Sequence, residues 1–129
     1  MLKFKTTKLR TQLFDIAQTD PRIRALTQEL GFWAHKLFTK DLIITCVWRS
    51  EKEQVRIYGR PVSSAHFCQP QCRAVDIRAN HDYFTRDEMQ NLDSFINKYF
   101  PRRDGLSPIV FHGEGDDFHI HLSVEPLSD

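Results

Sequence analysis

The chain has little glycine and little cysteine, with five and three residues respectively in 129. No apolar run approaches the roughly 20 residues of a membrane-spanning helix, so no membrane insertion is expected. The N-terminus is basic but lacks the apolar stretch of a secretory signal. The chain is therefore expected to stay in the cytoplasm as synthesised, unless another agent releases it. An odd cysteine count does not describe a disulfide framework. Neither sign of charge prevails: 18 Lys and Arg stand against 17 Asp and Glu, a net +1. No overall field argues for nucleic acid or an anionic surface as partner. The one local bias is Lys3, Lys5, Lys8 and Arg10 with no acid beside them, which reads as a solvated end. No repeat or linker divides the chain.

What is present is enough for one core. Hydrophobic residues make up 40% of the chain and include ten Phe and two Trp, so aromatic packing is expected inside a single domain. Helices are predicted over 7–18 and 21–38. The second has Asp20 as N-cap, Pro21 in its first position and a stripe of Ile23, Leu26, Leu30, Trp33 and Leu37. His35 falls beside that stripe and reads as a surface histidine. The run from Asp41 to Trp48 predicts a buried strand, with Cys46 a buried thiol. Ser50 and Glu53 form a capping-box pattern for a helix to about Tyr58. A strand is predicted over 73–78. Thr85 caps a helix over 86–99 whose inner face is Met89, Leu92, Phe95, Ile96 and Tyr99. Strands over 109–112 and 118–124 follow, with a turn between them. His81-Asp82 reads as another turn. The expected class is α+β: a small, mostly antiparallel sheet flanked by helices. Residues 1–40 form a helical N-terminal part and residues 41–125 the remainder.

Metal-competent side chains concentrate in three segments: Ser64-Ala65-His66, Arg73 to Arg78 around Asp76, and Asp116 to His121. Imidazole and carboxylate are the donors a catalytic zinc takes, with one position left for water. On a strand His119 and His121 point the same way, joined by Asp117 if the strand starts that early. Cys68 and Cys72, four apart, are open to three readings: free thiols, a local disulfide, or metal donors.

Ser64, His66, Ala74 and Asp76, with the acid-x-x-His of the last segment and the upstream TCVWRSEKEQVRIYG, resemble the zinc D-alanyl-D-alanine carboxypeptidases and the related phage L-alanyl-D-glutamate endopeptidases. The resemblance runs from about residue 42 to 124. It implies Zn²⁺ held by His66, Asp76 and a third histidine. His119 is favoured, because Asp116 then stands three residues before the ligand as general base. With His121 as ligand, Phe118 would occupy that place. His121 would otherwise assist the polarised carbonyl. Arg49 would bind a substrate carboxylate or the oxyanion, and Ser64 and Gln54 would help hold substrate. His112 and Glu114 are further candidates for a supporting or proton-accepting group. The implied substrate is a peptidoglycan peptide and the implied protein a monomeric hydrolase, a phage endolysin among the options. The alternative is a metal-binding module of the same fold without catalysis. Nine residues separate His66 from Asp76, three more than the family keeps, so the two meet only if the longer loop folds back.

Overall fold

The computed structural model describes residues 1–48, 51–59, 65–66 and 71–126. Their elements run β1 (Leu2–Phe4), α1 (Thr7–Leu13), α2 (Pro21–Phe38), β2 (Leu42–Cys46), α3 (Glu51–Tyr58), β3 (Ala74–Arg78), α4 (Arg86–Tyr99), β4 (Ile109–His112), a 3-10 turn (Gly115–Asp117) and β5 (His119–Ser123). The class is α+β, with a five-stranded sheet in the order β1-β2-β3-β5-β4. The sheet is mixed: β1 runs parallel to β2, and the other pairs are antiparallel. Among the described residues no helix is long and apolar enough to cross a membrane.

The helices form where the sequence caps them. Asp20 accepts from the Arg22 backbone N–H at 2.8 Å, and Pro21 opens α2. Thr85 and Glu88 close a reciprocal capping box on α4, which satisfies two otherwise unpaired donors. The first helix stops at Leu13, short of the expected 18. The Asp15 carboxylate takes the backbone N–H groups of Ala17 and Gln18, a local turn that competes with the helix.

Strand alternation splits the sheet into two faces. Val75, Ile77, Ile120, Leu122 and Ile109 point into the core with Ile23, Leu26 and Leu30 of α2 and Leu92 and Ile96 of α4. Leu37 and Tyr99, expected on those stripes, are exposed; each lies in the last turn of its helix, outside the core cluster. The opposite face carries Asp76 and Arg78 of β3 and His119 and His121 of β5, in the register Asp76↔His121 and Arg78↔His119. Residues 2–4, expected as part of a solvated end, form the edge strand instead. Leu2 and Phe4 pack against the core, and Leu2 sits directly over Gly31 of α2, where an added Cβ would meet its side chain at 2.7 Å.

One irregularity sets the site. Ile44 pairs with Ile77, yet Cys46, two residues on, pairs with Asp76, one residue back. Thr45 is therefore the extra residue of a β-bulge. Simple alternation would put Cys46 beside Ile44 in the core. The bulge turns it to the Asp76 face, so Cys46 is half-buried rather than a core thiol.

The start of α2 also anchors the strand that carries Asp76. The Asp20 backbone N–H donates to the Cys72 carbonyl at 2.9 Å, and the Cys72 N–H to the Gln18 carbonyl at 2.8 Å. Burial would raise the Asp20 carboxyl, but the Arg22 guanidinium, bonded at 2.8 Å, outweighs it and holds the group below its usual range. Asp20→Ala is expected to cost about 1–2 kcal/mol. A carboxyl lowered in the folded state stabilises above its unfolded value near about 4 and loses that effect as pH falls. The stability gap between wild type and Asp20→Asn, measured by urea unfolding, should therefore shrink steadily below about pH 4.

Candidate metal centre

His66 lies beyond α3, ten residues before Asp76. Its position is held by the loop's closure: the Arg73 backbone N–H donates to the Ala65 carbonyl at 2.7 Å. Residues 65 and 73 thus meet just before β3. Arg73 is fixed in turn by β5, since its Nη1 and its carbonyl bond the backbone of Val124.

Asp76 is the centre of the arrangement, with 8% of its surface exposed. Its Oδ1 lies 3.1 Å from His66 Nε2, 3.0 Å from His121 Nδ1 and 3.9 Å from His119 Nε2. Burial alone would raise this carboxyl. The hydrogen bonds from His121 and His66, with the charge on those rings, overcome that and hold it far below the usual range.

Backbone carbonyls decide how two of these rings present themselves. His66 Nδ1 is 2.6 Å from the Val47 carbonyl, and His119 Nδ1 is 2.6 Å from the Asp117 carbonyl. A carbonyl only accepts, so each Nδ1 carries its proton and each Nε2 is turned toward Asp76. Between His66 Nε2 and the carboxylate a cation must then sit, a proton or a metal ion, because both atoms would otherwise be acceptors. In the absence of metal it is a proton. Burial acts to lower His66, but its bonds to Asp76 and to the thiols of Cys46 and Cys72 prevail and lift it well above the ordinary histidine value. His121 differs. Its Nδ1 donates to Asp76, leaving Nε2 as the lone-pair nitrogen.

Cys46, His66 and Asp76 form a group that can hold a metal ion: one donor atom from each, all within 4.8 Å of one another. Cys46 was not legible as a donor from the sequence, because only the bulge brings it to this face. Cys72 is a free, fully buried thiol that donates toward the Val47 and Ala74 carbonyls. Arg49, Ser64 and Cys68 lie outside the described residues, as does the Ser50 cap. Gln54 stands on α3, its side chain likewise outside them.

The donors open into a cleft of about 630 Å³. Lys5, Thr45, Arg78, His112, Asp116 and Asp117 are among the residues that line it. His112 is the cross-strand partner of His119, its ring 4.2 Å away. Asp116 is at the rim, its side chain 90% exposed and its Oδ1 3.2 Å from His81 Nε2. Asn80 bonds the Asp116 carbonyl at 2.8 Å. Asp117 belongs to the 3-10 turn and not to β5, so it does not continue the His119–His121 row; its carbonyl serves the site instead. Lys5 and Arg78 make no ion pair among the described residues. Lys5 was hidden from sequence reading because its role depends on β1 pairing with β2. Arg78 was within reach of it, two residues after Asp76 on one strand face.

Compared with protein-family models, curated proteins and solved structures, the chain finds no match.

Two outcomes follow. Gly113 has φ +88°, and a Cβ there would stand 2.4 Å from the Asp117 carbonyl oxygen that holds His119. Gly113→Ala is thus expected to weaken metal binding about tenfold or more without removing any donor, as read by competition with a chelator. Second, a raised histidine stabilises below its unfolded value near about 6.5 and loses that effect as pH rises through its folded value. Metal-free protein should lose stability as pH is raised above neutral, and bound metal should remove that loss. Calorimetry in buffers of differing ionisation heat should show at least one proton released per metal bound at neutral pH.

Proposed function

We propose that the protein is a zinc-dependent peptidase acting on peptidoglycan peptides, with His66, Asp76 and His119 as the protein ligands. The observation that carries this reading is the convergence of two carbonyl-locked imidazoles on one buried carboxylate oxygen. Two donors, each about 2.1 Å from a tetrahedral zinc, stand about 3.4 Å apart. The separations of 3.1 and 3.9 Å from Asp76 Oδ1 to the two Nε2 atoms bracket that value. An Nδ1–H donated to a backbone carbonyl is the usual support of a metal-binding histidine. His66 and His119 have it, and His121 spends its Nδ1 on Asp76. This favours His119 over His121 as the third ligand. The sequence resemblance to the D-alanyl-D-alanine carboxypeptidases and phage endopeptidases adds the substrate class.

Zinc, when bound, polarises a carbonyl and makes its water acidic enough to attack near neutral pH. The chain's own groups do the rest. Asp116 takes the proton of the attacking water and hands it to the leaving amine. Its carboxylate must first leave His81 and turn inward, a rotation that its exposure permits. His121 steadies Asp76 and offers Nε2 toward the cleft. Arg78 and Lys5 take a substrate carboxylate, with Arg49 assigned the same task from the resemblance.

His66→Ala and His119→Ala are expected to lose bound zinc, measured by elemental analysis, and with it the release of free amines from purified peptidoglycan. Asp116→Asn should keep zinc and lose about 10²–10⁴ in kcat. Arg78→Gln should raise KM for peptides with a free carboxylate and leave that for amidated ones unchanged. The pairing of Asp116 with His81 also suits a second reading, a metal-binding module without catalysis. Zinc at full occupancy with no amine release by wild type would decide for it.

A further inference from the structure

We infer that Cys46 is itself a ligand of this metal, a thiolate that joins His66, Asp76 and His119 and fills the position otherwise left to water. The inference rests on the metal-centre reading and deepens it. The bulge at Thr45 has no consequence for the core that a regular strand would lack: Ile44 packs before it and Val47 after it, both fully buried. Its effect is to bring Cys46 directly opposite Asp76 across the β2–β3 ladder. Directly paired residues hold their Cβ atoms about 5 Å apart. The sulfur lies within 4.8 Å of an Asp76 carboxylate oxygen and of a His66 ring nitrogen. The His66 ring lies beside it, with Nδ1 3.8 Å from the sulfur. That nitrogen is committed to the Val47 carbonyl, so the thiol gains no strong hydrogen bond from this approach. Zinc–sulfur bonds are about 2.3 Å, longer than those to nitrogen or oxygen, so a sulfur donor can stand farther from the metal than the other three.

The chemical consequence is a change of site type. Two imidazoles and a carboxylate leave a position open for water, whereas a fourth protein donor closes it. A thiolate also selects zinc over magnesium, calcium or manganese. With Cys46 bound, such a metal would be closed to water until the sulfur was displaced.

Cobalt(II) reports this directly, because a thiolate bond to it gives a charge-transfer absorption in the near ultraviolet that imidazole and carboxylate do not. Metal-free Cys68→Ser/Cys72→Ser protein, loaded with one equivalent of cobalt, is expected to show that absorption. Adding Cys46→Ser should abolish it, preserve the visible bands of bound cobalt, and weaken zinc affinity about tenfold to a hundredfold. Wild type and Cys46→Ser in the native background form a second pair if the buried Cys72 does not tolerate change; their difference spectrum should carry the same band. Cobalt bound without that band in wild type would overturn the assignment of Cys46 and leave the histidine–aspartate centre standing. Failure to bind either cobalt or zinc would overturn both.

Discussion

A carboxylate buried to the extent of Asp76 stays ionised only when positive charge or strong donors surround it. Here the histidines meet that requirement. His66 and His121 direct ring nitrogens at one oxygen, and His119 stands just outside bonding range of it. The Val47 and Asp117 carbonyls settle which nitrogen of His66 and His119 is free to face it. With His66 Nδ1 donating to a carbonyl, the space between Nε2 and Asp76 takes either a proton or a metal. A site that holds a raised-affinity proton between two converging acceptors is one in which a metal can replace that proton.

The remainder of the fold delivers those groups. β3 and β5 run antiparallel in a register that sets Asp76 opposite His121 and Arg78 opposite His119. β4 adds His112 to the same row. His66 comes from a loop and is held by closure of that loop onto Arg73. The same segment is tied to the capped start of α2 through Cys72. A helix cap, a loop closure and a strand register thus converge on one carboxylate. α2 and α4 take the opposite sheet face, and so the polar row faces an open cleft rather than the core.

That cleft holds groups of both charges beside the donors. Lys5 and Arg78, which make no ion pair among the described residues, line it with the histidines and Asp76, and Asp116 stands at the rim. In the proposed hydrolase a substrate carboxylate goes to the cations while the acid exchanges protons with water and the leaving amine. The bulge at Thr45 adds a feature outside that scheme, since it exchanges a core position for a sulfur beside the donors.

Local signals in the sequence determined much of this. Asp20-Pro21 and Thr85 marked helix starts because capping depends on a few adjacent residues. The α+β class followed from apolar periodicity, and His66, Asp76, His119 and His121 were candidates by side-chain chemistry alone. The tertiary structure decided the rest. The edge strand Leu2–Phe4 depends on a partner forty residues away, so the local pattern of lysines concealed it. The side to which Cys46 points depends on one extra residue in a ladder, visible only once Ile77 and Asp76 are its neighbours. The difference between His119 and His121 rests on which ring reaches a carbonyl and which reaches Asp76. Residue identity and short-range pattern are written along the chain; facing direction, register and ring orientation arise between segments, and they are fixed only when those segments pack.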